Sequence, residues 1–192
     1  MRSCQLTRTT KETDIRLTLN LDGSGQHHIR TGIGFFDHML AAFAVHAGID
    51  LRLEAKGDLE VDCHHTIEDV GIVLGQAFAQ LLGDRSAIQR YGSFYVPMDE
   101  ALAFTAIDIS GRPYLVFDAK FQNQSVGTMD CCMVEEFFRA VAVNAGMTLH
   151  IRLLYGSNEH HGIEAIFKSF AHALAQAAAP REGGVLSSKG ML

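Results

Sequence analysis

Apolar and polar positions alternate along the chain in blocks that switch between a strand-like period of two and a helix-like period near 3.6. Residues 14–21 alternate and are closed by Asp22-Gly23-Ser24-Gly25, and a second short strand is expected over 27–31. A helical run follows, ending at Gly48; then an alternating strand, a loop, and a long helical run opened by His64 and His65. The later part repeats this order. Strands are expected over 94–97, 101–109 and 114–119, separated by Met98-Asp99-Glu100 and Ser110-Gly111-Arg112-Pro113. A helix ending at Gly146, a strand and a final helix opened by His160 and His161 complete it.

The repetition extends to individual residues. Ala42, Ala44, Val45, Ala47, Gly48 and Leu51 match Ala140, Ala142, Val143, Ala145, Gly146 and Leu149 at a constant offset. Two unrelated Ala-rich helices would not be followed by the same Gly, strand and motif in the same order. The pattern predicts an α/β body of the α+β type, made of two similar fused halves. Each half is expected to be a mainly antiparallel four-stranded sheet with two helices on one face. The repeats span 1–86 and 87–192, with the boundary near residues 83–91 and no Pro- or Ser-rich linker there, so the whole of 1–192 is expected to act as one catalytic body.

The bulk numbers restrict the function. With 192 residues, 47% hydrophobic and 20% charged, the composition is that of a globular protein. A net charge of −6 argues against a nucleic-acid partner held by a general positive field. No apolar stretch approaches the roughly 20 residues of a membrane span, and Met1 to Leu6 lack an apolar signal core, which points to the cytoplasm. Cys4, Cys63, Cys131 and Cys132 form no Cys-x-x-Cys and read as reduced thiols.

The ten histidines are the outlier. His-His-x-x-Glu occurs twice, as His64, His65, Glu68 and as His160, His161, Glu164. On a helix the second His and the Glu are three apart and share a face, with the first His one step round. The repeat register also sets His38 opposite Glu136. The eight candidate metal donors are therefore His38, His64, His65, Glu68, Glu136, His160, His161 and Glu164. Adjacent helix residues point about 100° apart, so each His pair is best shared between two ions. Such a shell suits Mn, Fe, Zn, Co or Ni, with six-coordinate Mn²⁺ or Fe²⁺ favoured over structural zinc. A single His pair is more often a cap or a surface pair; the repetition reverses that. Asp62 and Asp69 are either acceptors for the imidazoles or helix-start stabilisers. His27, His28, His46, His150 and His172 carry no pairing signal.

Four motifs in order, Gly34-Phe35-Phe36-Asp37-His38-Met39-Leu40, Asp62 to Asp69, Asn158 to Lys168, and Ser187-Ser188-Lys189-Gly190, resemble those of the imidazoleglycerol-phosphate dehydratase family over nearly the whole chain. The resemblance implies a lyase of histidine biosynthesis that removes water from D-erythro-imidazole-glycerol phosphate to give imidazole-acetol phosphate. It also implies two fused halves, a homo-oligomeric 24-mer, and two Mn²⁺ ions per site between subunits. The expected chemistry is a Mn-bound imidazolate and a diazafulvene-like intermediate, with the second ion polarising the departing hydroxyl. By the same resemblance Glu12, Arg90, Arg112, Lys168, Ser187, Ser188 and Lys189 bind substrate, mostly its phosphate, beside His38, His64 and His160. Glu12 is the first choice for moving the proton; Glu68 and Glu164, with His65 and His161 as metal-holding catalytic residues, follow. Glu136 departs from the family's usual His and would add a carboxylate to one shell. Taken alone, Glu12 reads as a hairpin charge and Arg90 and Arg112 as solvated. A binuclear metallohydrolase or a metal-stabilised assembly protein without chemistry are the other classes that paired His and Glu donors allow.

Overall fold

The structure, a computed structural model, describes residues 1–188. In the first half β1 (Ser3–Thr9), β2 (Thr13–Asn20), β3 (His27–Arg30), α1 (Gly34–Ala47), β4 (Asp50–Gly57) and α2 (His64–Leu82) follow in order. The second half gives β5 (Tyr91–Met98), β6 (Ala101–Asp108), β7 (Tyr114–Asp118), a small hairpin of β8 (Ser125–Val126) and β9 (Met129–Asp130), then α3 (Met133–Ala145), β10 (Thr148–Tyr155) and α4 (Glu159–Ala178). The sheets have the same topology, β1-β2-β4-β3 and β5-β6-β10-β7. In each, three strands pair antiparallel and the last edge strand is parallel to its neighbour.

The predicted fold of two similar halves is therefore the observed one, with two refinements. β1 is an additional strand, which the pattern did not reveal because it is a polar edge strand with only Cys4 buried. The β8–β9 hairpin has no counterpart in the first half. Pro97 lies within β5, which is tolerated because β5 is an edge strand.

The helices lie between the two sheets. α2 covers β1 and β2, and α4 covers β5 and β6, while α1 packs on α4 and α2 on α3. The halves are thus joined helix to helix. Seven fully buried phenylalanines (Phe36, Phe43, Phe78, Phe137, Phe138, Phe167 and Phe170) fill the middle. Four of them, Phe137, Phe138, Phe167 and Phe170, stack or meet edge-on at 5.0–5.4 Å. α2 comes so close to α3 that a Cβ on Gly71 or Gly75 would lie within 3 Å of α3 atoms. Gly48 and Gly146 end α1 and α3 in the left-handed conformation, at φ 67° and 66°, as the sequence led one to expect.

Among the described residues no helix is long and apolar enough to cross a membrane.

Candidate metal centre

α4 begins at an N-cap, Asn158, whose side chain accepts the backbone N–H groups of His160 and His161. This fixes the first turn and aims both imidazoles. His160 Nε2 lies 3.2 Å from Glu164 Oε2, one turn on, and His38 Nε2 from α1 lies 3.5 Å from the same oxygen. His38, His160 and Glu164 offer three donor atoms within 4.8 Å of one another. Two donors each about 2.1 Å from one ion, at angles near 90–110°, lie roughly 3.0–3.5 Å apart, so these residues fit a first-row divalent cation. Among the described residues no other group of three approaches as closely.

Glu164 is nearly sequestered, its side chain 8% exposed, and Lys168 Nζ sits 2.6 Å from its other oxygen. Burial alone raises the pKa of this carboxyl. The Lys168 ammonium and the imidazoles of His38 and His160 outweigh that and keep it below the ordinary value, as an anion ready for a cation.

The first half holds a looser counterpart. His64 Nε2 is 3.6 Å from Glu68 Oε2, and Asp62 accepts the His64 backbone N–H at 2.7 Å. Glu136, the register equivalent of His38, does not complete a trio; its carboxylate lies 3.4 Å from Arg139 Nε.

The pairing within each motif differs from the sequence expectation. It is the first His of each pair, at i and i+4, that meets the Glu, not the second at i+3. Four residues turn a helix by about 400°, only 40° past a full turn, which brings those side chains almost into line. The second histidines are drawn elsewhere. His65 Nδ1 lies 3.0 and 3.2 Å from the Asp58 carboxylate oxygens, and His161 Nδ1 lies 2.7 Å from Glu100 Oε2. These carboxylates raise the pKa of both imidazoles. The bond from His161, with the N–H groups of Ser157 and Asn158, holds Glu100 down to about 2.

Glu100 escaped the sequence reading because it is 61 residues from His161, and Asp58, seven residues before His65, because the turn that folds it back carries no motif. Asp62 stabilises a helix start, and Asp69 accepts Arg8 and Thr13, so neither orients an imidazole. The unassigned His46 and His172 meet at 3.1 Å between α1 and α4.

The candidate phosphate-binding arginines lie at the other end of the second sheet, whereas Lys168 sits on Glu164 beside the metal trio. Arg90 is buried, not solvated. It is bidentate on Asp108 at 2.7 and 3.1 Å and donates to the Leu186 carbonyl. Arg112, in the expected turn, reaches the same Asp108 at 3.5 Å. Glu12 lies in the β1–β2 turn, half exposed, with a carboxylate oxygen 3.9 Å from His65 Nδ1. Ser187 and Ser188 end the described chain, and Lys189 lies outside the described residues.

Residues 31–174 match the family model for imidazoleglycerol-phosphate dehydratase. The chain belongs to the imidazoleglycerol-phosphate dehydratase family. A relative from Acetivibrio thermocellus bearing that name is 60% identical, over 100% of this chain and 99% of its own. One from Ruminiclostridium cellulolyticum is 58% identical over the full length of both. The crystal structure of the Staphylococcus aureus dehydratase, 47% identical, superposes with a TM-score of 0.84 over 93% of this chain and 99% of that one. The Pyrococcus furiosus enzyme, 38% identical, gives 0.85 over 97% and 100%. Membership of the imidazoleglycerol-phosphate dehydratase family makes the chain a hydro-lyase of histidine biosynthesis acting on a small phosphorylated substrate, within a metal-dependent family.

Proposed function

We propose that the chain removes water from D-erythro-imidazole-glycerol phosphate to give imidazole-acetol phosphate, as a cytoplasmic homo-oligomer, a 24-mer, with two Mn²⁺ ions in each site between subunits. The observation that carries this reading is the trio of His38, His160 and Glu164, spaced for one divalent cation. His64, Glu68 and Glu136 would hold the second ion; a glutamate is an apt oxygen ligand for Mn²⁺. The whole of 1–192 acts as one catalytic body built from repeats 1–86 and 87–192.

Two features support sites shared between chains. His65 and His161, held by Asp58 and Glu100, are not part of their own chain's trio, so each is available to a neighbour's ion. Asp108 ends β6 and Arg112 lies just beyond it, whereas Glu100 and His161 lie at its start. Seven strand steps separate them, about 23 Å at roughly 3.3 Å per residue. One small substrate cannot span that, so the phosphate-binding arginines and the metal donors that serve it come from different subunits.

When bound, Mn²⁺ supplies Lewis acidity to the substrate imidazole and the departing hydroxyl. The chain's residues do the rest. Arg90, Arg112, Ser187, Ser188 and Lys189 of one subunit grip the phosphate and fix the carbon chain, and Lys168, beside the metal donors, reaches the substrate from the other. Glu12, half exposed and, among the described residues, with no Lys or Arg partner, takes the C–H proton; the hydroxyl on the neighbouring carbon leaves as water, and the enol product becomes the ketone. Glu68 and Glu164 are held by metal and by Lys168 and are poorer bases. The test is elemental analysis of the purified protein with turnover of imidazole-glycerol phosphate measured before chelation, after it, and after added Mn²⁺. Full turnover by metal-free protein would refute the proposal.

A further inference from the structure

The two halves hold the second histidine of each motif with different carboxylates, and the difference follows from the repeat. β2 and β6 are equivalent, so Glu12, directly before β2, corresponds to Glu100, directly before β6. β4 and β10 are equivalent, so Asp58, directly after β4, corresponds to Gly156, directly after β10. In the second half the hairpin glutamate itself clamps the histidine, with Glu100 Oε2 at 2.7 Å from His161 Nδ1. Its other oxygen is occupied by the N–H groups of Ser157 and Asn158. No side chain fits at Gly156, where a Cβ would lie 2.9 Å from that of Ala101. In the first half Asp58 occupies that place and takes His65 Nδ1 at 3.0 Å, while the hairpin glutamate, Glu12, stays 3.9 Å away. The Asp58 N–H donates to the Glu12 carbonyl, so the two are held side by side.

We propose that Asp58 and Glu100 are positioning residues that fix the tautomer and aim of His65 and His161, and that Asp58, by taking over this duty in the first half, releases Glu12 for proton transfer. An Nδ1–H donated to a carboxylate leaves the Nε2 lone pair facing outward, the state in which imidazole binds a metal. A hairpin glutamate cannot both clamp an imidazole and carry a proton to substrate. The second half keeps the clamp. The first half, with Asp58 added beside the hairpin, has both a clamp and an uncommitted carboxylate. The inference rests on the proposed manganese site and asks which carboxylate does which work around it.

The test uses the full-length protein, with Mn²⁺ binding followed by the electron paramagnetic resonance signal of the free ion and metal-free thermal melting as the folding control. Asp58→Ala and Glu100→Ala are expected to weaken Mn²⁺ binding by about 10- to 100-fold. Asp58→Asn and Glu100→Gln keep an oxygen that accepts Nδ1–H and are expected to recover most of that loss. Glu12→Gln is expected to bind Mn²⁺ as the wild type does while losing turnover. Asp58→Gly reproduces the arrangement of the second half. Glu12 is then expected to swing onto His65, giving tighter Mn²⁺ binding than Asp58→Ala but little turnover. Alanine variants that bind Mn²⁺ like the wild type would overturn the inference alone. So would amide variants as weak as the alanines, since charge and not orientation would then be at work. A wild type that takes up no Mn²⁺ would overturn the proposed function along with it.

Discussion

Gly75→Ala tests whether the close approach of α2 to α3 sets the first-half metal site. A helix-interior Ala is favoured over Gly by about 0.8–1 kcal/mol, so on propensity alone the variant would be more stable. The structure predicts the opposite sign. The new Cβ would lie 2.7 Å from Asn144 Cβ, 2.8 Å from the Val141 carbonyl oxygen and 3.1 Å from the Ala145 nitrogen. Two of those three atoms are backbone and cannot rotate away. Carbon contacts settle near 3.5 Å, so α2 must move outward by about 0.8 Å. Overpacking of this kind costs about 1–3 kcal/mol, and with rigid neighbours the upper half of that range applies, leaving a net loss of about 1–2 kcal/mol. For a chain of this size each kcal/mol lowers Tm by about 2–4 °C, so metal-free Gly75→Ala should melt about 2–8 °C below wild type in calorimetry. Because α2 carries His64 and Glu68 and α3 carries Glu136, one class of Mn²⁺ sites should weaken while the α1–α4 trio keeps its affinity. Gly34→Ala, at a position with nothing within 4 Å of the added carbon, serves as the control and should not lose stability. A Gly75→Ala protein with an unchanged or higher Tm would refute the reasoning.

Three further outcomes are expected. His65→Ala or His161→Ala should lower turnover at least about a thousandfold, the rate equivalent of roughly 4 kcal/mol; near-native activity with full metal occupancy would show the donor assignment to be wrong. Complete chelation should shrink the particle seen by light scattering, and an unchanged size would count against ions held between subunits. Glu159 gives an acid-stability signature. The backbone N–H groups of Asn123 and Gln122 and the Asn123 side chain pull its pKa from 4.5 in the reference state to about 2. A carboxyl lowered on folding stabilises fully above about 4.5 and loses that contribution as pH falls toward about 2. Urea unfolding of wild type and Glu159→Gln across that window should show the wild type losing stability more steeply, and parallel curves would contradict the assignment.

What was legible in the sequence is what depends on nearby residues. The left-handed Gly48 and Gly146, the helix starts before His64 and His160, and the alternation of β6 are local consequences of local residues, and the repeat doubled each signal. β1 was not legible because an edge strand that buries one residue has no apolar stripe to display. Arg90 looked like a surface charge because its partner, Asp108, is supplied by another strand. The metal donors show the same division more sharply. Their identities and the His38–Glu136 equivalence follow from the register, but the register cannot say which half a helix packs against. Equivalent elements could have closed on their own half, pairing α1 with α2. Instead α1 packs on α4 and α2 on α3, so the tightest trio takes His38 from one repeat and His160 and Glu164 from the other. Neither repeat alone can assemble it. A site divided in this way can form only when both halves are folded and docked, which ties the trio's metal affinity to the packing of α1 on α4 in the helix layer between the sheets.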